Sequence, residues 1–213
     1  MIFATGLSEP EGPVVLADKS WLVVEMDPSR GSVTRVSPDG QKVQPIVRAG
    51  RPNGLALDRD GIVWVAESLS PTLLRMSLER QVETFLTGCE DLPFIFPNDL
   101  CFGPDELLYL TDSGILIRDF APGGKIRPDY ATCQPDGRVF QINTRTQQIA
   151  MVDRGIAFTN GIAIGLDKKL YVNETLTGNV YRYALDNGRV GPRQYFGNVI
   201  DPEAAPGYKG PDA

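Results

Sequence analysis

Five side chains carrying oxygen donors recur at one place in a repeated segment of this chain. The copies read Pro10-Glu11-Gly12, Pro52-Asn53-Gly54, Pro97-Asn98-Asp99, Thr159-Asn160-Gly161 and Pro211-Asp212-Ala213. A carboxylate or carboxamide at each position is oxygen chemistry, and a ring of such groups would hold a hard cation. The chain contains no histidine. That removes Ser-His-Asp and Cys-His triads, imidazole bases and His-rich zinc sites. The cysteines, Cys89, Cys101 and Cys133, match no ligand spacing, and Cys101, within an apolar run, reads as a small buried hydrophobe. For any one marker the plain alternative is turn chemistry, because Asn or Asp before Gly tolerates left-handed backbone. The common register of all five tips the balance toward a shared site, with Asn53 nearest to a purely structural role.

The elements that must position these groups are strands. After each of the first four markers comes an apolar stretch and then a second strand-like run, as in LALDRDGIVWVAE and IAIGLDKKLYVNE. The dipeptides Asp39-Gly40, Asp60-Gly61, Asp136-Gly137 and Asn187-Gly188 read as hairpin turns. No long window keeps a helical period, so the chain reads as all-β. Unit two divides into GLALD, IVWVAE, LLRMS and VETFL, and unit four into GIAIG, KLYVNE, NVYRYAL and RQYFGNV. Four antiparallel strands per unit, repeated, make the blades of a β-propeller. Marker spacings are 42, 45, 62 and 52 residues. The long third unit carries an insertion around Asp119 to Pro135, rich in Gly, Pro and charge. It reads as a surface loop, with a lid over the marker face as the other reading. The opening IFATGL reads as an outermost strand.

In a propeller the innermost strands line a central channel, so Glu11, Asn53, Asn98, Asn160 and Asp212 form an inner ring at one mouth. A second ring comprises Glu25, Asp27, Glu67, Ser68, Thr111, Asp112, Asn173, Glu174 and Thr175. Asn98, Asp112 and Glu174 are the candidate substrate-binding residues.

Bulk properties bound the partners. The sequence has 213 residues, is 42% hydrophobic and carries a net charge of -6. It is long enough to bury a core as one domain over 1–213. Basic residues are scattered singly, which argues against nucleic acid or anionic membrane as a partner. There is no long apolar span and no signal-peptide pattern, and cytoplasmic residence is expected. Oligomeric state is not legible.

The motifs EPEGPV at 9–14, RPNGLALDRDG at 51–61, FPNDLCFGPDELLYLTD at 96–112, TNGIAI at 159–164, YVNETLTGNVYRY at 171–183 and GPD at 210–212 stand in a specific order. In that order the chain resembles the gluconolactonase and senescence-marker-protein (regucalcin-like) family of six-bladed β-propellers. It looks closer to the gluconolactonase branch than to the animal branch, which has an Arg where Phe96 stands. The resemblance implies about four complete four-stranded blades, roughly 9–50, 51–95, 96–157 and 158–208, with a fifth beginning at 209–213. Roughly 80 to 100 residues of a full ring, about two blades, are not in this sequence, so a C-terminal truncation is expected. It also implies one divalent cation held by Glu11, Asn160 and Asp212, with Asn98 helping to hold metal or substrate. Calcium is foremost, with magnesium, manganese or zinc as alternatives. The implied activity is opening of a lactone ring, of the sugar or aldonolactone class. The metal would act as Lewis acid, and Asp212 as the catalytic general base. The alternative is a non-catalytic propeller that binds calcium or a ligand at its mouth. Strictosidine-synthase-like and paraoxonase-like propeller enzymes form a third class, and the paraoxonase type relies on histidine.

Overall fold

The computed structural model describes residues 2–79 and 81–200. The described chain builds four four-stranded antiparallel sheets in sequence order. The first is β1 (Pro10–Val15), β2 (Trp21–Glu25), β3 (Ser32–Val36) and β4 (Val43–Arg48). The second is β5 (Pro52–Leu57), β6 (Val63–Glu67), β7 (Thr72–Met76) and β8 (Val82–Leu86). A short pair, β9 (Gly88–Cys89) and β10 (Leu92–Pro93), precedes the third sheet of β11 (Pro97–Phe102), β12 (Leu108–Asp112), β13 (Gly137–Ile142) and β14 (Ile149–Ile156). The fourth contains β15 (Thr159–Ile164), β16 (Leu170–Glu174), β17 (Asn179–Tyr183) and β20 (Gln194–Asn198). The hairpin β18 (Leu185–Asp186) and β19 (Arg189–Val190) lies between its last two strands. First strands of successive sheets touch, β1 on β5, β5 on β11 and β11 on β15. The sheets are therefore blades of a β-propeller set side by side around a hub.

Burial follows radius. The second strands β6 and β12 are buried throughout, whereas the outer strands β4 and β8 are largely exposed. A strand covered on both faces by neighbouring blades is apolar at successive positions instead of alternating, as VWVAE in β6 shows. Apolar layers fill the blade interfaces. Leu22, Val24 and Val33 meet Leu55, Val63 and Val65 between the first two blades. Trp64, Ala66 and Leu73 meet Leu108, Leu110 and Phe140 between the next two, and Tyr109 and Val139 meet Leu170, Val172 and Tyr183 between the last two.

The four described markers sit in strands, not turns. Each first strand departs from regular pairing just past its marker, between Glu11 and Val14, Pro52 and Leu55, Pro97 and Leu100, and Thr159 and Ile162. An irregularity of this kind re-aims side chains and tightens the local twist. The glycine after the marker serves close packing. A Cβ on Gly54 would lie 2.6 Å from Asp99 Oδ1 and 2.7 Å from Asp99 Cα, and one on Gly12 would lie 2.8 Å from the Leu55 nitrogen. Asn53-Gly54 is therefore a turn-type dipeptide placed inside a strand, where it lets first strands approach at the hub.

Three expectations need correction. Residues 2–7 form no strand, and Phe3 packs edge-on against Trp21 at 6.1 Å between ring centroids. Gly40, Gly61 and Gly188 have positive φ, as hairpin turns require, but Gly137 does not and instead opens β13. The insertion is not shapeless. It forms a four-residue helix α1 (Ile117–Phe120) and 3-10 turns at Pro122–Gly124 and Tyr130–Thr132.

Candidate functional site

The first strands deliver Glu11, Asn53, Asn98 and Asn160 to one cleft of about 300 Å³. Its wall is completed by Glu9, Arg51 and Met26, and its cover by the insertion through Ile117, Phe120, Ala121, Gly124 and Ile126. The cover is held by apolar contact: Phe120 packs on Phe158 at 4.5 Å and Phe96 on Phe158 at 5.8 Å. The insertion thus lies on the marker face and shapes the site. Asp212, the expected general base and third ligand, lies outside the described residues.

Asn98 is buried at the cleft, and its Nδ2 donates to Ser113 Oγ at 2.9 Å. That hydroxyl spends its own proton on the Thr159 carbonyl at 2.8 Å, so it can only accept from Asn98. The amide is therefore oriented, and Asn98 Oδ1 is a buried oxygen with no hydrogen-bond donor among the described residues. Buried polar atoms are nearly always satisfied, so an orphan acceptor in a cleft that a carboxylate also lines calls for a cation or ligand donor. The Asn53 oxygen differs. It accepts from Arg51 Nη1 at 2.7 Å and lies 3.3 Å from Ser68 Oγ, which fits a structural role. The donors Glu11, Asn98 and Asn160 suit a hard divalent ion chemically. Among the described residues, however, no group of three or more Asp, Glu, Cys or His side chains is placed to hold a metal.

Asp112 and Glu174, expected to handle substrate, are engaged elsewhere. Asp112 accepts from the backbone nitrogens of Ile95 at 2.7 Å, Phe96 at 3.0 Å and Gly114 at 2.9 Å. Glu174 accepts from Ala157 N at 2.7 Å, and from Asn179 Nδ2 and Tyr181 Oη at 3.1 Å each. Equivalent carboxylates repeat the device in the other blades. Glu25 accepts from Ser8 N at 2.9 Å, and Glu67 from Arg51 N at 2.9 Å, Leu69 N at 2.7 Å and Ser70 N at 2.7 Å. The acid ending each second strand thus latches the loop that leads into its blade's first strand, and this fixes where the marker begins. All four are buried. Burial raises the carboxyl of Asp112, and its three N–H partners do not fully offset that. In Glu25 burial acts the same way, but hydrogen bonds from Thr34, Arg30 and Ser8 outweigh it and hold the carboxyl below its ordinary value.

Arg51 was not singled out by the sequence. Its guanidinium donates through Nη1 to Asn53 Oδ1 at 2.7 Å and Ser68 Oγ at 3.1 Å, and lies 5.6 Å from the Phe96 ring centroid. Burial pulls its pKa below the ordinary value, opposed by Glu11, Glu9 and Glu67. A cation two residues before a marker was the available signal.

Residues 9–213 match the SMP-30/Gluconolactonase/LRE-like region. The chain belongs to this family. A family relative, a gluconolactonase of Zymomonas mobilis, is 24% identical over 206 residues, covering 87% of this chain and 55% of its own length. The chain therefore spans about half the length of that relative. Among solved structures, a gluconolactonase from Xanthomonas campestris superposes with a TM-score of 0.75 at 20% identity, covering 93% of this chain and 66% of the other. A calcium-binding protein, regucalcin, from Agrobacterium tumefaciens gives 0.67 at 16% identity, covering 90% and 60%. At these identities the structures establish the shared propeller fold. Among the described residues no helix is long and apolar enough to cross a membrane.

Proposed function

We propose that the chain opens a lactone ring, of the sugar or aldonolactone class, at the cleft lined by Glu11, Asn98 and Asn160. The observation that carries this reading is the oriented Asn98 amide, whose buried Oδ1 is left without a donor among the described residues in a cleft that Glu11 also lines, in a family with lactonase members. Glu11, Asn160 and Asp212 would hold one divalent cation, calcium foremost, with Asn98 contributing its oxygen to metal or substrate. Bound there, the cation supplies Lewis acidity toward the lactone carbonyl. The chain's own residues do the rest. Asp212 takes a proton from water as the water oxygen bonds to the carbonyl carbon, and returns it to the ring oxygen as the ring C–O bond breaks, giving the hydroxy acid. The insertion, through Phe120 and Ile126, limits water access to the ring.

The test is turnover of glucono-δ-lactone, followed by acid release, beside metal content. Turnover stops with chelator and returns with calcium in the wild type. Glu11→Gln loses metal and turnover together, whereas Asn98→Ala keeps metal and loses most of its turnover. Chelator-insensitive hydrolysis overturns the metal assignment, and equal loss of metal in both variants overturns the division of labour. A second reading, calcium or ligand binding without turnover, draws on the oxygen donors Glu11, Asn98 and Asn160 at the cleft, which need no catalytic base to bind. It predicts a calcium-dependent rise in melting temperature with no hydrolysis.

A further inference from the structure

Arg51 is a half-buried cation whose hydrogen-bonding capacity is only partly used. It stands immediately before Pro52 and Asn53, on a loop whose backbone is fixed because Glu67 accepts from the Arg51 nitrogen at 2.9 Å. A guanidinium has five N–H donors in a planar fork. Here only Nη1 is engaged, to neutral partners, Asn53 and Ser68. Among the described residues Nε and Nη2 make no hydrogen bond, and the guanidinium forms no ion pair with a carboxylate. Of the nearby acids, Glu67 is committed to three backbone N–H groups. The Phe96 ring covers the group at 5.6 Å.

Even partial desolvation of a cation without a contact anion is unfavourable. A residue serving only to neutralise Glu11 would pair with it. Arg51 is instead pinned by one nitrogen to Asn53 and Ser68, which keeps the fork at the cleft wall it helps to line. The partner that matches a planar fork is a carboxylate, whose two oxygens accept parallel N–H bonds. The cleft volume of about 300 Å³ admits a small molecule.

We propose that Arg51 is the carboxylate-recognising residue of this cleft, binding a small hydroxy acid or a lactone that carries a free carboxylate. This deepens the lactone reading and rests on it only for the second source. Glu9 and Glu11 also face the cleft, so a generic surface effect would disfavour an anion. A preference for an acid over its neutral amide is therefore diagnostic.

The first arm measures calorimetric binding of gluconate and gluconamide to the full chain in EDTA, so that no metal bridges the ligand. Wild type binds the acid about tenfold more tightly than the amide. In Arg51→Gln that ratio falls to about 2 or below, and Arg51→Lys, which keeps the charge but not the fork, lies between. The second arm compares kcat/KM, with calcium, for 5-oxotetrahydrofuran-2-carboxylate and its methyl ester. Acid selectivity lost in Arg51→Gln identifies a carboxylated substrate. A selectivity confined to gluconate identifies the ring-opened acid. Equal binding of gluconate and gluconamide by wild type, or equal loss of both in the variants, overturns the proposal. Arg51-dependent gluconate binding without any lactone turnover sustains it and defeats the lactonase reading. Turnover without acid preference does the reverse. If Arg51→Gln fails to fold, the wild-type ratio and Arg51→Lys decide.

Discussion

Asn98 can offer its oxygen to the cleft because Ser113 holds the other end of the amide, and Ser113 is in turn committed to the Thr159 carbonyl of the next blade. Partners behind a ligand commonly set its affinity as strongly as the ligand itself. Ser113→Ala frees the amide to rotate. It should lower kcat/KM for glucono-δ-lactone about tenfold while leaving metal content and circular dichroism unchanged. An unaltered kcat/KM would mean that the amide is held some other way. The marker register made Asn98 visible in the sequence, since a residue recurring at one place in each unit can be found by spacing alone. Ser113 and Arg51 carry no such mark. Ser113 follows an acid at a strand end, and Arg51 precedes a proline, so their importance comes from neighbours far away in sequence. Asp112 and Glu174 show the opposite case, with carboxylates that accept from their own blade's loop. Periodicity placed them at the mouth end of their strands, but it cannot say whether a carboxylate turns toward the channel or back to its own loop.

At the level of elements, each blade uses a buried acid to tie down the loop that feeds its first strand. In the first blade, Glu25 is fully buried and accepts from Thr34 Oγ1 at 2.6 Å, Arg30 Nη1 at 2.7 Å and Ser8 N at 2.9 Å. Its folded pKa lies below its ordinary value of 4.5, so the unfolded chain binds more protons at mildly acidic pH. The stabilisation is therefore complete above that ordinary value and fades as the pH falls through the folded one. Glu25→Gln should cost about 2 kcal/mol at pH 7, from loss of charge-assisted hydrogen bonds. Urea midpoints should show the gap closing as wild type and variant are taken toward pH 3, and a gap independent of pH would contradict this account. The strands themselves were legible because alternating or continuous apolar runs and Asp-Gly turns are local signals. The insertion was legible as an insertion only. Its placement depends on Phe120 meeting Phe158, a contact between blades that no local pattern encodes.

For the whole molecule, apolar layers join each blade only to its neighbours. Stability in such an array is a sum of blade and interface contributions, so it should not be uniform. Among the described residues the second and third sheets are covered on both faces, while the first exposes a cleft lined by Phe3, Trp21, Val23 and Val36. Hydrogen exchange should therefore be slowest in β6, β7, β12 and β13 and faster in the first and fourth sheets, and uniform protection would argue against a nearest-neighbour array. The propeller was readable from the sequence because repetition is a global property written locally. What the pairing irregularity after each marker adds is a division of labour between backbone and side chain. The main chain sets where each marker sits in every described blade, and side-chain partners such as Ser113 then set how the marker's own head group turns. One mould can thus display glutamate at one spoke and asparagine at three others, and a new chemistry is reachable by single exchanges at spokes without structural partners, with the wheel left intact.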